Sequence, residues 1–201
     1  MALRSKDTIF NAALLKCGRE DTETGGSGDL WRAMDSNYDE IVRAAFEDGD
    51  GNLPFGRQRE ALTSRSASEY DFDDAYELPD GCLQVVEVYF DDYSASDLEE
   101  RWETDGESIH LDASSRAIEI EYVKAGQESK WSANFALGIQ RRLEAVIYGF
   151  LEEYDDAELR DQQADVFFMK SGIKASKNRS QRRVWKRGGG RLVRTRRRRY
   201  S

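Results

Sequence analysis

The sequence predicts an α+β fold: an antiparallel bundle of about four helices, an inserted small antiparallel β-sheet and an extended basic C-terminal arm. Three observations predict this fold. Apolar residues recur at helical spacing on both sides of the middle of the 201-residue chain, whereas residues 57–125 carry strand patterns. Residues 176–201 contain 12 cations and no acid. Short connections between successive helices favour antiparallel neighbours, so the sheet is expected to be an insertion into the bundle.

The first two helices are predicted within residues 1–56. Ser5 suits the N-cap of the first helix, and Gly18 suits its C-terminal end. The second helix is expected from about Asp29 to Phe46. Its apolar stripe comprises Leu30, Met34, Tyr38, Ile41 and Ala45.

The inserted β-subdomain is predicted to span residues 57–125. Its expected strands are an edge strand at 59–64, a β-branched and aromatic strand at 82–90, and an alternating strand at 116–123. A hairpin is expected in RWETDGESIHL, with Asp105-Gly106 supplying a type I′ turn. These strands are expected to form one small antiparallel sheet.

Two further helices are predicted within residues 126–175 and complete the bundle. The third runs from about Ser132 to Tyr154 and carries the longest apolar stripe in the chain. The fourth is expected from about Asp156 to Ala175. Residues 176–201 form the basic arm, which contains three consecutive glycines and is expected to become ordered only on binding.

Charge is divided unequally along the chain. The formal net charge is -9, and because the arm contributes 12 cations, residues 1–175 carry -21. An acidic body with a basic arm predicts two partners, or one partner with two surfaces. No apolar run approaches the roughly 20 residues that span a bilayer, and the N-terminus lacks a signal-peptide pattern, so no membrane partner is expected. We therefore expect a cytoplasm-like compartment.

Residues with catalytic or metal-binding chemistry are few. The single histidine, His110, lies on a predicted strand and is interpreted as structural. Cys17 and Cys82 lie far apart and are interpreted as free thiols, and together with His110 they lack the spacing of zinc ligands. The sequence therefore predicts no enzyme activity, no catalytic or metal site, and no cofactor.

Several segments of the body, in order over about residues 7–170, resemble the head-to-tail adaptor or connector proteins of tailed bacteriophages, the tail tubular protein A-like family. The most specific is AYELPDGCLQVVEVY, which matches a family pattern through Tyr76, Leu78, Pro79, Asp80, Cys82, Leu83 and Val85. The other segments are DTIFNAALLKCGRE, LWRAMDSNYDEIVRAAFED, GRQREALTS, RWETDGESI and the entry to the third helix through Tyr122, Trp131, Phe135 and Leu137. The arginine-rich ending is not part of the common pattern.

The resemblance implies a structural virion protein at the head–tail junction, assembled in the host cytoplasm. Members of the family form a ring, usually of about twelve copies, beneath the portal protein. The ring extends the channel through which DNA passes and carries the tail proteins, such as nozzle or tail-completion proteins. Family adaptors use their C-terminal segment to grip the portal.

On this basis the portal-binding residues are expected in the arm, where arginine pairs bidentately with carboxylates and aromatic side chains anchor in apolar pockets. They are Arg182, Arg183, Trp185, Arg187, Arg191, Arg194, Arg196, Arg197, Arg198, Arg199 and Tyr200. The alternative is a nucleic-acid-binding or other virion assembly protein whose arm contacts DNA. The charge of the body opposes that alternative, because it would repel a duplex beyond the arm.

Overall fold

The computed structural model describes residues 5–19, 28–49 and 53–172. Within these ranges the helices are α1 (Lys6–Lys16), α2 (Asp29–Glu47), the short α3 (Ala95–Leu98), α4 (Ala133–Phe150) and α5 (154–172). The strands are β1 (Arg57–Ala61), β2 (Arg65–Ala67), β3 (Asp74–Glu77), β4 (Cys82–Phe90), β5 (Tyr93–Ser94), β6 (Trp102–Thr104), β7 (Ser108–Leu111) and β8 (Ile118–Lys124). The fold is therefore mixed α+β, as predicted.

The predicted N-cap of α1 is confirmed. The Ser5 hydroxyl accepts a hydrogen bond from the backbone N–H of Thr8, and the Ser5 N–H donates to the Thr8 hydroxyl at 2.8 Å. This reciprocal arrangement is a capping box, which satisfies two donors that a helix N-terminus leaves without partners. Gly18 follows the helix with φ of 68°, a conformation that glycine adopts without the steric cost of a Cβ.

Helices α1, α2 and α4 enclose one apolar core. Phe10 of α1 meets the rings of Trp31 and Tyr38 of α2 at centroid distances of 4.9 and 5.4 Å. Phe46 of α2 meets Phe135 of α4 at 4.9 Å, and both rings are fully buried. Tilted and edge-to-face aromatic pairs of this kind add about 0.5–1.5 kcal/mol each beyond the burial of their area.

The third helix is shorter than predicted. Helix α4 begins as expected after Ser132, whose hydroxyl accepts the N–H of Phe135, but it ends at Phe150 rather than Tyr154. Glu152 adopts a left-handed φ of 62°, which reverses the chain before α5 begins at residue 154. The apolar periodicity continues across this break, yet Tyr154 is 69% exposed and contributes little to the core.

The expectation of one sheet is wrong, because the structure has two four-stranded antiparallel sheets, ordered β1-β8-β4-β5 and β2-β3-β7-β6. Strand β3 was not predicted, since its DAYE sequence carries a charge on a buried position. Asp74 is 4% exposed there, and its carboxylate accepts from Arg65 at 2.6 Å and from the N–H of Ala113 at 3.2 Å. The connection after β3 leads to β4 in the other sheet.

Strands β4 and β8 confirm the sequence analysis. Strand β4 has the predicted bounds, and β8 alternates as expected, with Ile118, Ile120 and Tyr122 buried and Glu119 and Glu121 more exposed. The apolar side chains of these strands join those of β3 and β7 in a second core. Its members include Tyr76, Val88, Phe90, Ile109 and Leu111.

The predicted β6–β7 hairpin is present, but its turn differs from type I′. The Asp105 N–H donates to the Ser108 carbonyl at 3.2 Å, so Gly106 and Glu107 are the central residues. Gly106 alone of the two has positive φ, at 98°, which is the pattern of a type II′ turn. Asp105 instead precedes the turn and uses its carboxylate to accept the N–H groups of Glu107 and Ser108 at 3.0 and 2.7 Å.

The β1-β8-β4-β5 sheet is attached closely to the helices. Val123 of β8 belongs to the helical core, and the Trp131 indole donates to the Gly126 carbonyl at 2.9 Å. The Tyr38 hydroxyl of α2 donates to Glu128 at 3.0 Å, beyond the end of β8. Both sheets therefore lie between α2 and α4 in sequence, and the β1-β8-β4-β5 sheet packs on the helical core. Among the described residues, no helix has the length and apolar character that crossing a membrane requires.

Candidate functional site

The predicted portal-binding residues lie outside the described residues. The described chain ends at Gly172, and every one of these residues follows it. They are Arg182, Arg183, Trp185, Arg187, Arg191, Arg194, Arg196, Arg197, Arg198, Arg199 and Tyr200. The structure does describe α5, the helix from which this segment continues, and the surface around it.

The described surface carries a large excess of negative charge. The described ranges contain 35 aspartates and glutamates against 16 lysines and arginines. Seven of these acids lie within residues 152–165, just before α5 and along its first two thirds. Asp155 and Asp156 lie in the first turn of α5, where carboxylates interact favourably with the helix dipole. Asp161 and Asp165 pair with Arg142 of α4 at 2.7 and 2.6 Å.

A buried ionic cluster fixes α5 on α4. Glu144 of α4 is fully buried, and its carboxylate accepts from Gln140 at 2.8 Å and from the Arg141 guanidinium. Arg160 of α5 brings its Nε to 3.5 Å from the same carboxylate. A buried carboxylate is tolerated only when cations and hydrogen-bond donors surround it, as they do here. The two helices are therefore joined by charge as well as by apolar contacts.

Ser132 and Ser171 join the other end of this helix pair. Their hydroxyl oxygens lie 2.8 Å apart, which places the start of α4 beside the end of α5. The two helices are therefore antiparallel neighbours, as the short connection predicts. The chain enters the basic segment from this end of the bundle.

Cys17 lies beside the ionic cluster. Burial and, to a smaller extent, the negative charge of Glu144 raise the pKa of the Cys17 thiol to about 11, against the lowering effect of a hydrogen bond with Tyr148. Cys17 and Cys82 are both free, as predicted. A thiol held neutral in this way is a poor nucleophile and a poor metal ligand. In the described part of the chain, no group of three or more His, Cys, Asp or Glu residues is placed to hold a metal ion.

His110 has two polar partners that the sequence analysis did not identify. Ser68 Oγ lies 2.9 Å from Nδ1 and Asp105 Oδ2 lies 3.0 Å from Nε2. The Ser68 oxygen also accepts the N–H of Tyr70, whose ring meets the imidazole edge-on at 4.5 Å. Because His110 is 3% exposed, this arrangement fits the structural role predicted for it: it fastens the segment after β2 to the β6–β7 hairpin.

The Asp105 carboxylate accepts several hydrogen bonds in that arrangement. Hydrogen bonds from the Ser108 N–H, from His110 and from the Glu107 N–H lower the pKa of its carboxyl to about 2. The side-chain pattern that forms this turn is local, since Asp accepts N–H groups two and three residues later. That signal was present in the sequence as Asp105 and Ser108, but the pairing of Asp105 with His110 depends on the register of β6 and β7.

The segment that carries the most specific resemblance lines a cleft. Leu78, Pro79, Asp80 and Gly81 form one wall of a polar cleft of about 560 Å³, which the β6–β7 turn and β2 also line. Lys124 donates to the Asp80 carbonyl at 2.7 Å and fixes this wall on β8. The segment therefore connects the two sheets and is accessible from outside.

A comparison with protein-family models finds none that matches the chain, and a comparison with curated proteins finds no match either. The assignment to a family of head-to-tail adaptors therefore remains a proposal from the motifs of the chain itself.

Proposed function

We propose that the chain is a structural head-to-tail adaptor that forms a ring of about twelve copies beneath a phage portal. The observation that carries the proposal is the order of the segments that resemble the family over about residues 7–170. In support, aromatic residues of two such segments, Tyr38 of one and Trp131 and Phe135 of the other, lie together in the helical core. The ring would extend the DNA channel and provide the platform on which tail proteins assemble.

The basic arm suits attachment of such a ring to the portal. Arginine presents a planar fork that meets a carboxylate or phosphate with two parallel hydrogen bonds. Residues 176–201 supply 12 cations, and Trp185 and Tyr200 supply aromatic anchors. When several copies in one ring dock together, each arm raises the effective concentration of the others, so attachment becomes far tighter than one arm provides.

The acidic body suits a surface past which DNA moves. The duplex carries about one negative charge per 1.7 Å of its axis, so a basic channel wall would bind it and an acidic wall repels it. The excess of acids over bases among the described residues provides that repulsion. It also opposes the alternative function, a protein whose purpose is to bind DNA.

Co-sedimentation with the portal ring from the same genome tests the proposal. We expect the intact chain to sediment with the portal at about one copy per subunit, and a chain ending at Ser176 to remain in the supernatant. A third chain, with the five arginines of RTRRRRY replaced by lysine, retains the charge but lacks the planar fork. It should bind more weakly than the intact chain.

A gel-shift assay with a DNA duplex distinguishes the adaptor function from the alternative, DNA binding. If neither chain binds the portal while the arm shifts DNA with a steep salt dependence, the adaptor proposal is wrong and nucleic acid is the partner. If the truncated chain binds the portal as well as the intact chain does, the arm is not the docking element.

A further inference from the structure

A groove with an apolar floor lies between α2 and α5. Two adjoining hollows of about 380 and 200 Å³ share Ala45, Asp48 and Phe168 in their lining and together form this groove. Ile41 contributes to its floor, and Met169, at 64% exposed, lies in the second hollow. An apolar side chain exposed to this extent loses contact with water when an apolar partner covers it, and that burial is favourable.

The rim of the groove is acidic. Glu40 and Asp48 of the α2 region line the first hollow, and neither makes an ion pair with another residue that the structure describes. Arg142 also lines it, but its guanidinium is engaged by two aspartates of α5. The groove therefore presents an apolar floor with uncompensated negative charge at its edge, which fits an apolar side chain flanked by cations.

The chain itself supplies such a segment. Gly172, the last described residue, lines the groove, and the segment Arg182–Arg187 follows ten residues later with the sequence RRVWKR. Its apolar pair, Val184-Trp185, has two cations on each side. The intervening chain reaches up to roughly 35 Å when extended, which is ample to return to a groove at its own origin. A tether of this length gives an effective concentration on the order of millimolar.

We propose that residues 182–187 of the same chain dock in this groove, with Trp185 on Phe168 and Met169 and the flanking cations beside Glu40 and Asp48. The body thereby holds its own basic arm until a partner competes for it. The inference rests on the groove and on the complementary segment, and it does not require the portal to be the partner.

Methyl NMR of the full-length chain labelled with ¹³C-methyl methionine tests the proposal. The chain has three methionines. Met169 lies in the groove, whereas Met34 is fully buried in the helical core and reports whether that core is intact. The ring current of a docked Trp185 shifts the Met169 resonance. We therefore expect Trp185→Ala to move the Met169 signal and to leave the Met34 signal in place.

Charge variants provide the matched comparison. The double variant Glu40→Lys/Asp48→Lys reverses the rim and should move the Met169 signal to the position seen in Trp185→Ala. The double variant Asp97→Lys/Glu103→Lys makes the same change in net charge at exposed sites away from the groove and should leave the signal unchanged. The intact chain should show the same Met169 position on dilution, since the segment belongs to the same molecule.

Two results would overturn the proposal. If the Met169 signal is identical in the intact chain and in Trp185→Ala, the segment does not occupy the groove. If the Met169 signal shifts on dilution toward its position in Trp185→Ala, the occupant comes from a second copy rather than from the same chain.

Discussion

Replacing Gly138 with alanine tests how α5 packs on α4. Alanine stabilises a helix interior by about 1 kcal/mol relative to glycine. At this site, however, a Cβ would lie 2.4 Å from Cε1 and 2.6 Å from Cδ1 of the Phe168 ring. Ordinary carbon–carbon contacts are about 3.5–4.0 Å, so the ring would have to move by about 1 Å. Overpacking of this kind costs about 1–3 kcal/mol.

We therefore expect Gly138→Ala to lower the free energy of unfolding by about 1 kcal/mol, since overpacking of about 2 kcal/mol exceeds the gain in helix propensity. Urea denaturation measures this change as a shift of the midpoint at constant slope. The Phe168 ring also meets Phe135 at a centroid distance of 5.5 Å, and displacing it weakens that contact.

Two further variants test whether the Phe168 ring causes this loss of stability. In a Phe168→Ala chain the obstacle is gone, so adding Gly138→Ala should raise stability by about 1 kcal/mol, which reverses the sign of its effect. Gly149→Ala lies in the same helix with no atom within 4 Å of the added Cβ, and it should be neutral or stabilising. If Gly138→Ala stabilises the chain as Gly149→Ala does, then Phe168 does not pack where the structure places it.

The remaining predictions concern buried and titrating groups. Glu144→Ala should lower the free energy of unfolding, measured with denaturant, by about 3 kcal/mol, because Arg141 and Arg160 lose the buried carboxylate that compensates their charge. A decrease below about 1 kcal/mol would contradict the buried cluster. The lowered pKa of Asp105 gives stability that is fully present above its ordinary pKa of 3.8 and is lost as pH falls through about 2. The difference in midpoint between the wild type and Asp105→Asn should therefore be largest above pH 4 and shrink toward pH 2, whereas a constant difference would refute this origin. Because the pKa of Cys17 is raised from 9.0 to about 11, its alkylation by iodoacetamide in the native chain should accelerate by more than about tenfold between pH 9 and 10.5; a rise of only about twofold would show an ordinary thiol.

Local signals in the sequence predicted the elements that depend on them. The cap at Ser5, the strand at residues 82–90 and the start of α4 after Ser132 agree with the structure because each is determined by neighbouring residues. The alternation of apolar and charged residues in β8 also predicted that strand, since one of its faces is buried and the other is more exposed.

The features that the sequence analysis missed depend on distant partners. Strand β3 buries Asp74, which is possible only because Arg65 and the Ala113 N–H lie beside it in the folded chain. The end of α4 was placed too late because the apolar spacing continues through Glu152, where the backbone turns left-handed. The division of the strands into two sheets follows from which strands pair, and propensity carries no information about pairing partners.

The candidate site likewise combines a feature that composition reveals with features that depend on distant partners. The polar partners of His110, Ser68 and Asp105, come from segments 42 and 5 residues away, and strand register brings them together. The groove between α2 and α5 is likewise a product of packing, since its lining comes from elements more than 100 residues apart. The basic arm was evident from composition alone, but its docking on a portal remains a prediction.

Electron cryomicroscopy of the portal ring mixed with the intact chain tests the central claim most directly. We predict a ring of this protein beneath the portal, with one copy per portal subunit and with residues 182–200 in contact with portal carboxylates and apolar pockets. Portal particles without an added ring, at concentrations where the chain is in excess, would contradict the adaptor function.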